Sequence, residues 1–485
     1  MLSSGTALAA DTFKKLSRAV LPLVLMLAAW PARGAEVTRV VSALDGSNRF
    51  DFNLTASWIH DVKSATVKRE LQSGLAPRNT ELIKDLQFAQ TRDILNLRAD
   101  IGILWDVGFH IDLPLVLADQ SNLDFDQSEG AGCRFPSSDP NAPRPSCVNQ
   151  DNSTILRDRI LPVTTDPATG AITSWGQDAQ HNRMFSPDSK NAFRGPMRKG
   201  FEYLGLGLTW APFNQMRDDT KPTWTLSVDA KLDVFKDRRF DPSNPTGNTA
   251  VGQGYHQFIA STFVSKRFRW FDPYFGAWYM LPARTNGSPF EKYGPTQTSV
   301  NPQQQAGAMI GVEQIAWENP RGDQRVTVEA RAFIEEHFDG RGRSEIWEPL
   351  AGSSACSSAD TTACRPDVDL HYILTPNGQP IDAPHPGITD IENYGTVGGD
   401  LGLNVQVGRF IRFRGLFGLR SDMPHLITDA SSGVDVNNDH RIDPMDPTVV
   451  EANPVYRPII DQPGRRFRVE GTKIWTLFLQ GSMMF

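Results

Sequence analysis

The chain has 485 residues with a net charge of -7, and its mean hydropathy is negative. Its length is compatible with several soluble domains or with one large all-β barrel, so length excludes neither. The acidic balance argues against nucleic acid and against an anionic membrane surface as partners.

The first 35 residues have the pattern of a secretory signal peptide. Basic residues precede an uncharged apolar run from Ala19 to Trp30, and small residues follow up to Ala35. The run is shorter than the roughly 20 residues that a membrane-spanning helix needs, which argues against an N-terminal anchor. We therefore expect export of the chain, cleavage after Ala35, and a single barrel domain over residues 36–485.

The mature chain contains segments of about ten residues in which apolar and polar side chains alternate, as they do in membrane strands. In the first segment Phe52 and Leu54 share one face, while Asn53 and Thr55 share the other. Patterns of this kind lie at 50–58, 95–103, 109–118, 203–210, 224–234, 255–264, 274–282, 306–316, 326–334, 397–407, 411–419 and 475–485. The sequence thus predicts about twelve strands, and an even number suits a single-chain barrel with both termini on one side.

The last segment carries apolar residues at alternate positions and ends at Phe485. This ending resembles the C-terminal signal of bacterial outer-membrane β-barrel proteins. The resemblance implies an outer-membrane location, contact with membrane lipid and recognition by the barrel-assembly machinery. We expect an all-β fold, a closed antiparallel transmembrane barrel with long extracellular loops. The alternative is a secreted soluble β-sandwich, whose strands also alternate but need fewer outward apolar side chains.

Short connections at 105–108 and 408–410 are expected on the periplasmic side, and long ones at 118–200 and 335–393 on the outside. The long connections contain all the cysteines, which are Cys133, Cys147, Cys356 and Cys364. In an exported chain, close pairs of cysteines predict the disulfides Cys133–Cys147 and Cys356–Cys364. A four-thiolate zinc site is the alternative, but neither pair has the usual short spacing.

Charged side chains on the inward faces of the predicted strands form the main candidate site. They can line a watery pore, or they can pair across the lumen and close it. Because several are long arginines facing carboxylates, we expect a narrow or occluded lumen. The predicted lumen-lining residues are Arg98, Asp100, His110, Asp112, Asp229, Lys231, Asp233, Glu329, Arg331, Arg412 and Arg414.

A loop late in the chain has the oxygen spacing of a Ca²⁺ site, and Ca²⁺ takes six to eight oxygen ligands. The predicted ligands are Asp435, Asn437, Asp439, the backbone carbonyl of Arg441, Asp443 and Asp446. The loop resembles the calcium loops of EF-hands, dockerins and thrombospondin type 3 repeats. It departs from the EF-hand pattern at His440, where glycine is usual, and at Asp446, where glutamate is usual. An acidic solvated loop is the alternative.

These patterns favour a passive role, namely a narrow channel or pore. A surface anchor within an envelope assembly is the alternative. A barrel hydrolase is a weaker one, because His110 and Asp112 share a face but no nucleophile motif accompanies them. No phosphate loop, dinucleotide fingerprint or zinc signature occurs, so we expect no enzyme. The sequence specifies neither a solute nor a protein partner.

Overall fold

The computed structural model describes residues 34–41, 51–72, 80–127, 148, 153–158, 160, 163–165, 172–175, 190–241, 247–353, 370, 372–374, 380–382, 385–442 and 451–485. Long antiparallel strands dominate this part of the chain. They are β1 (Phe52–Gln72), β2 (Thr80–Leu104), β3 (Val107–Phe125), β4 (Leu204–Phe213), β5 (Thr223–Leu232), β6 (Tyr255–Ser265), β7 (Phe271–Arg284), β8 (Gln305–Asn319), β9 (Gln324–His337), β10 (Tyr394–Val407), β11 (Ile411–Asp422) and β12 (Phe467–Met484).

Each of these strands pairs with its neighbours in chain order, and β1 also pairs with β12. The sheet therefore closes on itself and leaves no open edge. The predicted closed antiparallel barrel of twelve strands is confirmed, and this closure excludes the two separate sheets of a sandwich.

The remaining described elements are short, and all of them except the helix Glu36–Thr38 belong to the connections. The short strands are Val163–Thr165, Ile172–Trp175, Asn191–Arg194, Arg198–Phe201, Gly340–Gly342, Tyr372–Leu374, Pro380–Asp382, Thr389–Ile391 and His425–Leu426. The short helices are Glu36–Thr38, Thr154–Arg157, Pro320–Gly322, Trp347–Gly352 and Pro458–Asp461. Over the described residues, no helix has the length and apolar character needed to cross a membrane.

The two ends of the barrel differ in their connections. The end that carries Phe52 and Met484, called here the terminal end, has the short connections 105–106, 214–222, 266–270, 320–323 and 408–410. The opposite loop end has the connections 73–79, 126–203, 233–254, 285–304, 338–393 and 423–466. The terminal end thus has short connections and the loop end mostly long ones, as predicted, except that the loop-end connection 73–79 is shorter than 214–222.

The outer face of the barrel is apolar around its whole circumference. Every one of the twelve strands exposes large apolar side chains, among them Leu54, Leu97, Leu117, Leu208, Val228, Phe258, Phe275, Ile310, Val328, Leu401, Phe417 and Leu477. The alternate positions face the lumen and carry polar groups such as the buried Ser57 and His110. Period-two alternation of side chains along a strand thus separates an apolar exterior from a polar interior.

The first hairpin extends further than the alternation predicted. Strand β1 continues to Gln72 and β2 begins at Thr80, although the patterns ended at 58 and began at 95. In this extension the faces exchange polarity, since Ala65 and Val67 are buried inside while Ser64 is exposed. The alternation of outward apolar and inward polar side chains ends here because apolar residues of the connections, rather than water, cover the inner face.

The main apolar core lies at the loop end, inside the barrel. Inward side chains of β1, β2, β3 and β12, including Leu86, Phe88 and Phe467, pack against residues of the connections. We call these connection residues the loop cap: Val148, Ile155, Ile160, Phe193, Phe240, Ile346, Trp347, Leu350, Leu370, Ile427, Ile459 and Ile460. A close-packed apolar layer therefore covers the loop end over these four strands.

Candidate functional site

The lumen between the two ends contains ion pairs formed by residues on different strands. On one side of the barrel, the first charge cluster contains Arg98 and Asp100 of β2, His110 and Asp112 of β3, and Asp229 of β5. On the other side, the second charge cluster contains Glu329 and Arg331 of β9, Asp400 of β10 and Arg414 of β11.

The first charge cluster joins β2, β3 and β5, and the contact between His110 and Asp229 passes across the intervening strand β4. Arg98 lies 2.8 Å from Asp100 and 3.6 Å from Asp112. His110 Nε2 lies 2.7 Å from Asp229 and 3.5 Å from Asp112. Glycine at 207 leaves the space for this ring, because a Cβ there would overlap the imidazole of His110. The partners of His110 are thus the carboxylates of Asp112 and Asp229. All three residues were predicted from the sequence to face the lumen.

The second charge cluster is more deeply buried. Glu329 is 0% exposed and receives hydrogen bonds from Tyr274 Oη at 2.6 Å and from Arg414 at 2.7 Å. Arg331 pairs with Asp400, and it lies 4.0 Å from Glu329. Each charge is therefore satisfied by an opposite charge or by a donor, as a buried ionic network requires.

Arg412, predicted to line the lumen, has a partner that the strand pattern did not reveal. Residues 34–41, called here the N-terminal segment, lie inside the barrel at the terminal end. The Glu36 carboxylate of this segment accepts hydrogen bonds from the Arg412 guanidinium. Arg412 also donates to Gln406 at 3.3 Å. This contact joins the segment to β10 and β11.

Further hydrogen bonds fix the segment to the opposite wall. The backbone N–H of Glu36 donates to the carboxylate of Glu313 at 2.6 Å, and the hydroxyls of Thr38 and Ser265 lie 2.7 Å apart. Arg39 donates to the sulfur of Met484 at 2.7 Å. The segment therefore bridges β6, β8, β11 and β12, and it is held by polar contacts rather than by an apolar core.

The electrostatic setting of Glu36 favours its charged form. Burial alone would raise the pKa of this carboxyl group, but the guanidinium groups of Arg412 and Arg414 hold the pKa below the ordinary value of 4.5. The charge on Glu36 is thus part of what holds the N-terminal segment in place.

Two cavities lie on either side of the charge clusters. One of about 570 Å³ lies at the terminal end and is lined by the N-terminal segment, Arg325, Phe410 and Arg412. The other, of about 220 Å³, lies under the loop cap. Among the described residues, no member of the two charge clusters lines either cavity. The paired charges thus separate a lower space from an upper one.

Between the first charge cluster and the loop cap lies an upper charge cluster, formed by Arg92, Asp119, Glu202 and Arg238. Arg92 lies 2.7 Å from Glu202, and Arg238 lies 2.7 Å from Asp119. Predicted Lys231 lies nearby, with its ammonium 5.1 Å from the centre of the Tyr203 ring. Predicted Asp233 lies beyond the end of β5, in the connection to β6.

The predicted calcium loop lies at the loop end, within the connection 423–466. In its described part, Asp435 accepts hydrogen bonds from the N–H groups of Asp439 and His440, and Asp439 accepts one from Arg441. His440 has φ 68°, so it adopts the left-handed conformation that glycine supplies in an EF-hand. Asp443 and Asp446 lie outside the described residues. Over the residues described, no cluster of three or more potential metal ligands occurs, and the calcium site stays a prediction.

Several sequence predictions fall on parts of the chain that the structure does not describe. Residues 1–33 of the predicted signal peptide are outside the described ranges, as are Cys133, Cys147, Cys356 and Cys364. The predicted cleavage and the two disulfides therefore stay predictions.

The site residues that the sequence did not reveal lie mainly in the N-terminal segment and at its contacts. Glu36, Thr38 and their partners Glu313 and Ser265 were not among the predicted site residues. An isolated acidic residue beside a predicted cleavage site carries no pattern that specifies a contact 277 residues away. Asp400, in contrast, was detectable because it lies on the polar face of an alternating strand.

Comparison with known proteins gave structural similarities of low score. No protein family model matches the chain, and no curated protein matches it. The chain is similar to an outer membrane channel from Pseudomonas putida F1, with 8% identity and a TM-score of 0.36 over 89% of this chain and 95% of the other. It is also similar to a Pseudomonas aeruginosa FadL homologue, with 8% identity and a TM-score of 0.28 over 90% of each chain. The outer membrane protease OmpT from Escherichia coli gives 8% identity and a TM-score of 0.24 over 90% of this chain and 97% of the other.

Proposed function

We propose that the protein is an outer-membrane channel with a narrow lumen that is closed at both ends at rest. The observation that carries this proposal is the continuous apolar exterior of a closed barrel whose interior is charged. Such a surface is stable in lipid and unfavourable in water, since each exposed apolar side chain gains free energy when it leaves water.

The outer-membrane location is tested by fractionation and by migration on SDS gels. A closed barrel with no free edge should resist detergent until it is boiled, and so should migrate differently before and after heating. Recovery of the folded protein in the soluble periplasmic fraction would contradict the location.

The proposed partners are membrane lipid and the barrel-assembly machinery. Phe485 supports the second, because its backbone pairs with Phe52 at the seam where β1 meets β12, while its ring is half exposed. A Phe485→Ala variant should reach the outer membrane in smaller amounts than the wild type. A Phe410→Ala variant, changed at the same end, should reach it in the same amount as the wild type.

We propose that export removes residues 1–35 before the barrel folds. Ala35 is 0% exposed inside the barrel, so a peptidase could not reach the Ala35–Glu36 bond after folding. Cleavage would turn the backbone N–H that contacts Glu313 into an ammonium group, which would strengthen the contact. The intact mass of the purified protein should correspond to a chain that begins at Glu36.

A surface anchor is the second candidate, and the loop cap favours it, because an apolar core packed inside the loop end obstructs conduction. Conductance separates the two functions: an anchor conducts in no variant, whereas a channel conducts once its ends are released. No catalytic role is proposed for His110, and a His110→Ala variant should retain whatever activity the wild type has.

A further inference from the structure

The cavity under the loop cap has an unusual lining, with an excess of positive charge on one part and aromatic rings on another. Of the charged residues that line it, four are basic, Lys63, Arg238, Arg341 and Arg343, and one is acidic, Glu345. Lys63 and Glu345 pair with each other at 2.8 Å, so they contribute little net charge. Arg238 pairs with Asp119 at 2.7 Å and Arg341 lies 3.6 Å from Asp390, so the excess positive charge comes from Arg343.

Arg343 is the least compensated of these cations. Its Nη1 donates to the backbone carbonyl of Gln253 at 2.7 Å, and its Nη2 donates to that of Arg238 at 2.8 Å. Among the described residues it forms no ion pair with a carboxylate, and its Nε has no hydrogen-bond acceptor. Burial and the neighbouring guanidinium of Arg238 together lower the pKa of Arg343 to about 9, against smaller opposing effects of Tyr255 and Asp237, so the group stays mostly protonated at neutral pH. A buried cation without a counter-ion is unfavourable, and an anion beside it would relieve that cost.

Ser344 supplies an independent sign of a missing partner. Its side chain is 5% exposed and lines the cavity, and its Oγ has no hydrogen-bond partner within the described part of the chain. Buried hydroxyl groups in folded proteins are normally hydrogen-bonded. A ligand with an acceptor oxygen would satisfy this hydroxyl and the Nε of Arg343 together.

Aromatic rings form the adjoining wall. The rings of Tyr255 and Phe290 meet edge to face at 5.3 Å, and the guanidinium of Arg343 lies 5.5 Å from the centre of Phe290 and 5.6 Å from that of Trp347. Aromatic walls favour flat apolar groups through stacked and edge contacts. A cavity of about 150 Å³ holds a benzene ring, so about 220 Å³ accommodates one ring with a carboxylate.

We propose that this cavity binds a small organic anion, with its carboxylate at Arg343 and Ser344 and a single flat ring against Phe290 and Trp347. The proposal deepens the channel function by naming a class of solute that the lumen holds, and in that respect it rests on the proposed function. Binding itself requires no conduction, so the two can fail separately.

The test uses the folded full-length mature protein in detergent, with benzoate as the probe and equilibrium dialysis followed by calorimetry as the measurement. Benzyl alcohol has the ring without the charge, and acetate has the charge without the ring. We expect one benzoate per barrel, with at least tenfold weaker binding of benzyl alcohol and of acetate. Equal binding of either control compound, or no benzoate binding, would overturn the proposal.

Variants locate the site. Arg343→Gln removes the charge and leaves a polar amide in its place, and it should weaken benzoate binding at least tenfold. Ser344→Ala changes one atom that has no described partner, so it should fold normally, and it should weaken binding several-fold. Arg239→Gln removes a guanidinium that is 61% exposed and should leave binding unchanged. If Ser344→Ala binds benzoate as tightly as the wild type, and Arg343→Gln either does so too or misfolds, the proposal is also overturned. A barrel that conducts but binds no benzoate keeps the channel function and loses this site.

Discussion

The two ends of the lumen are closed by different physical means. At the loop end, the loop cap packs apolar side chains such as Ile155, Leu350 and Ile460 against the inner faces of four strands. At the terminal end, residues 36–41, the part of the N-terminal segment that the proposed cleavage leaves, are held by one ion pair to the barrel wall and a few hydrogen bonds. The difference matters because apolar packing depends weakly on pH and salt, whereas contacts between charged groups depend strongly on both. We call the contact between Glu36 and Arg412, with the hydrogen bonds around it, the latch. We therefore expect the loop end to be the stable closure and the terminal end the adjustable one.

The largest effect is expected from a cavity in the loop cap. Leu350→Ala removes a fully buried side chain, and such changes cost about 2 to 5 kcal/mol. Hydrogen exchange in the connections should rise accordingly, while heat-modifiable migration of the barrel persists. Leu97→Ala, on the apolar exterior, is the matched control and should leave exchange in the connections unchanged. Equal effects of the two variants would show that the cap is not a separate closure.

A smaller effect is expected from the latch at the terminal end. Arg412→Ala removes the charged donor to Glu36, and hydrogen bonds to charged groups contribute about 1.5 to 3 kcal/mol. Hydrogen exchange measured by mass spectrometry should rise in the peptide that contains residues 36–41. Arg269→Ala, an exposed arginine in a connection at the same end, is the control. Unchanged exchange in Arg412→Ala would mean that other contacts hold the segment.

Acid should weaken the same latch. Because the folded state lowers the pKa of Glu36, its charge stabilises the latched state above the ordinary value of 4.5, and this contribution is lost as the pH falls below 4.5. Exchange of the N-terminal segment, corrected for the intrinsic rate, should rise over that range. Glu36→Gln should already be loosened at neutral pH and should lose this pH dependence. A latch that is equally tight at pH 7 and pH 3 would contradict the role of the carboxylate.

The smallest effect is expected from calcium at the loop end. The predicted ligands from Asp435 to Asp446 would add an ion-dependent element to a closure that is otherwise apolar. Affinities of about 10⁻⁴ to 10⁻³ M are typical of extracellular calcium modules, so calorimetry needs millimolar Ca²⁺. Asp439→Ala should abolish the heat of binding. If the wild type gives no heat of binding, the segment is an acidic loop only.

Much of the barrel was predictable because its strands obey a simple rule. Leu54 and Val228 face outward and Asp100 and Glu329 face inward, as alternation required, and the short turn after Leu104 was visible in the sequence. The rule holds only where lipid covers one face and the lumen lies on the other.

The parts that could not be predicted are those governed by contacts between distant segments. The extension of β1 to Gln72 lost the alternation because loop residues cover its inner face. The pairing of Glu36 with Arg412 joins residues 376 positions apart, and no local pattern specifies it. Partner choice within the lumen was only partly visible for the same reason, since Asp229 pairs with His110 rather than with one of the four predicted arginines.

Single-channel recording in planar bilayers tests the two-closure account most directly. Arg412→Ala releases the N-terminal segment, and Arg414→Ala, combined with it, also opens the second charge cluster behind that segment, whereas the loop end is released by Leu350→Ala. Two closures in series limit current separately, so the wild type should show little or no stable conductance. Each release alone should have a small effect, and the two together should give the largest conductance, greater than the sum of the separate effects. Large, stable conductance from the unmodified protein would contradict the account, because it would show that the lumen is open while both ends are in their observed positions.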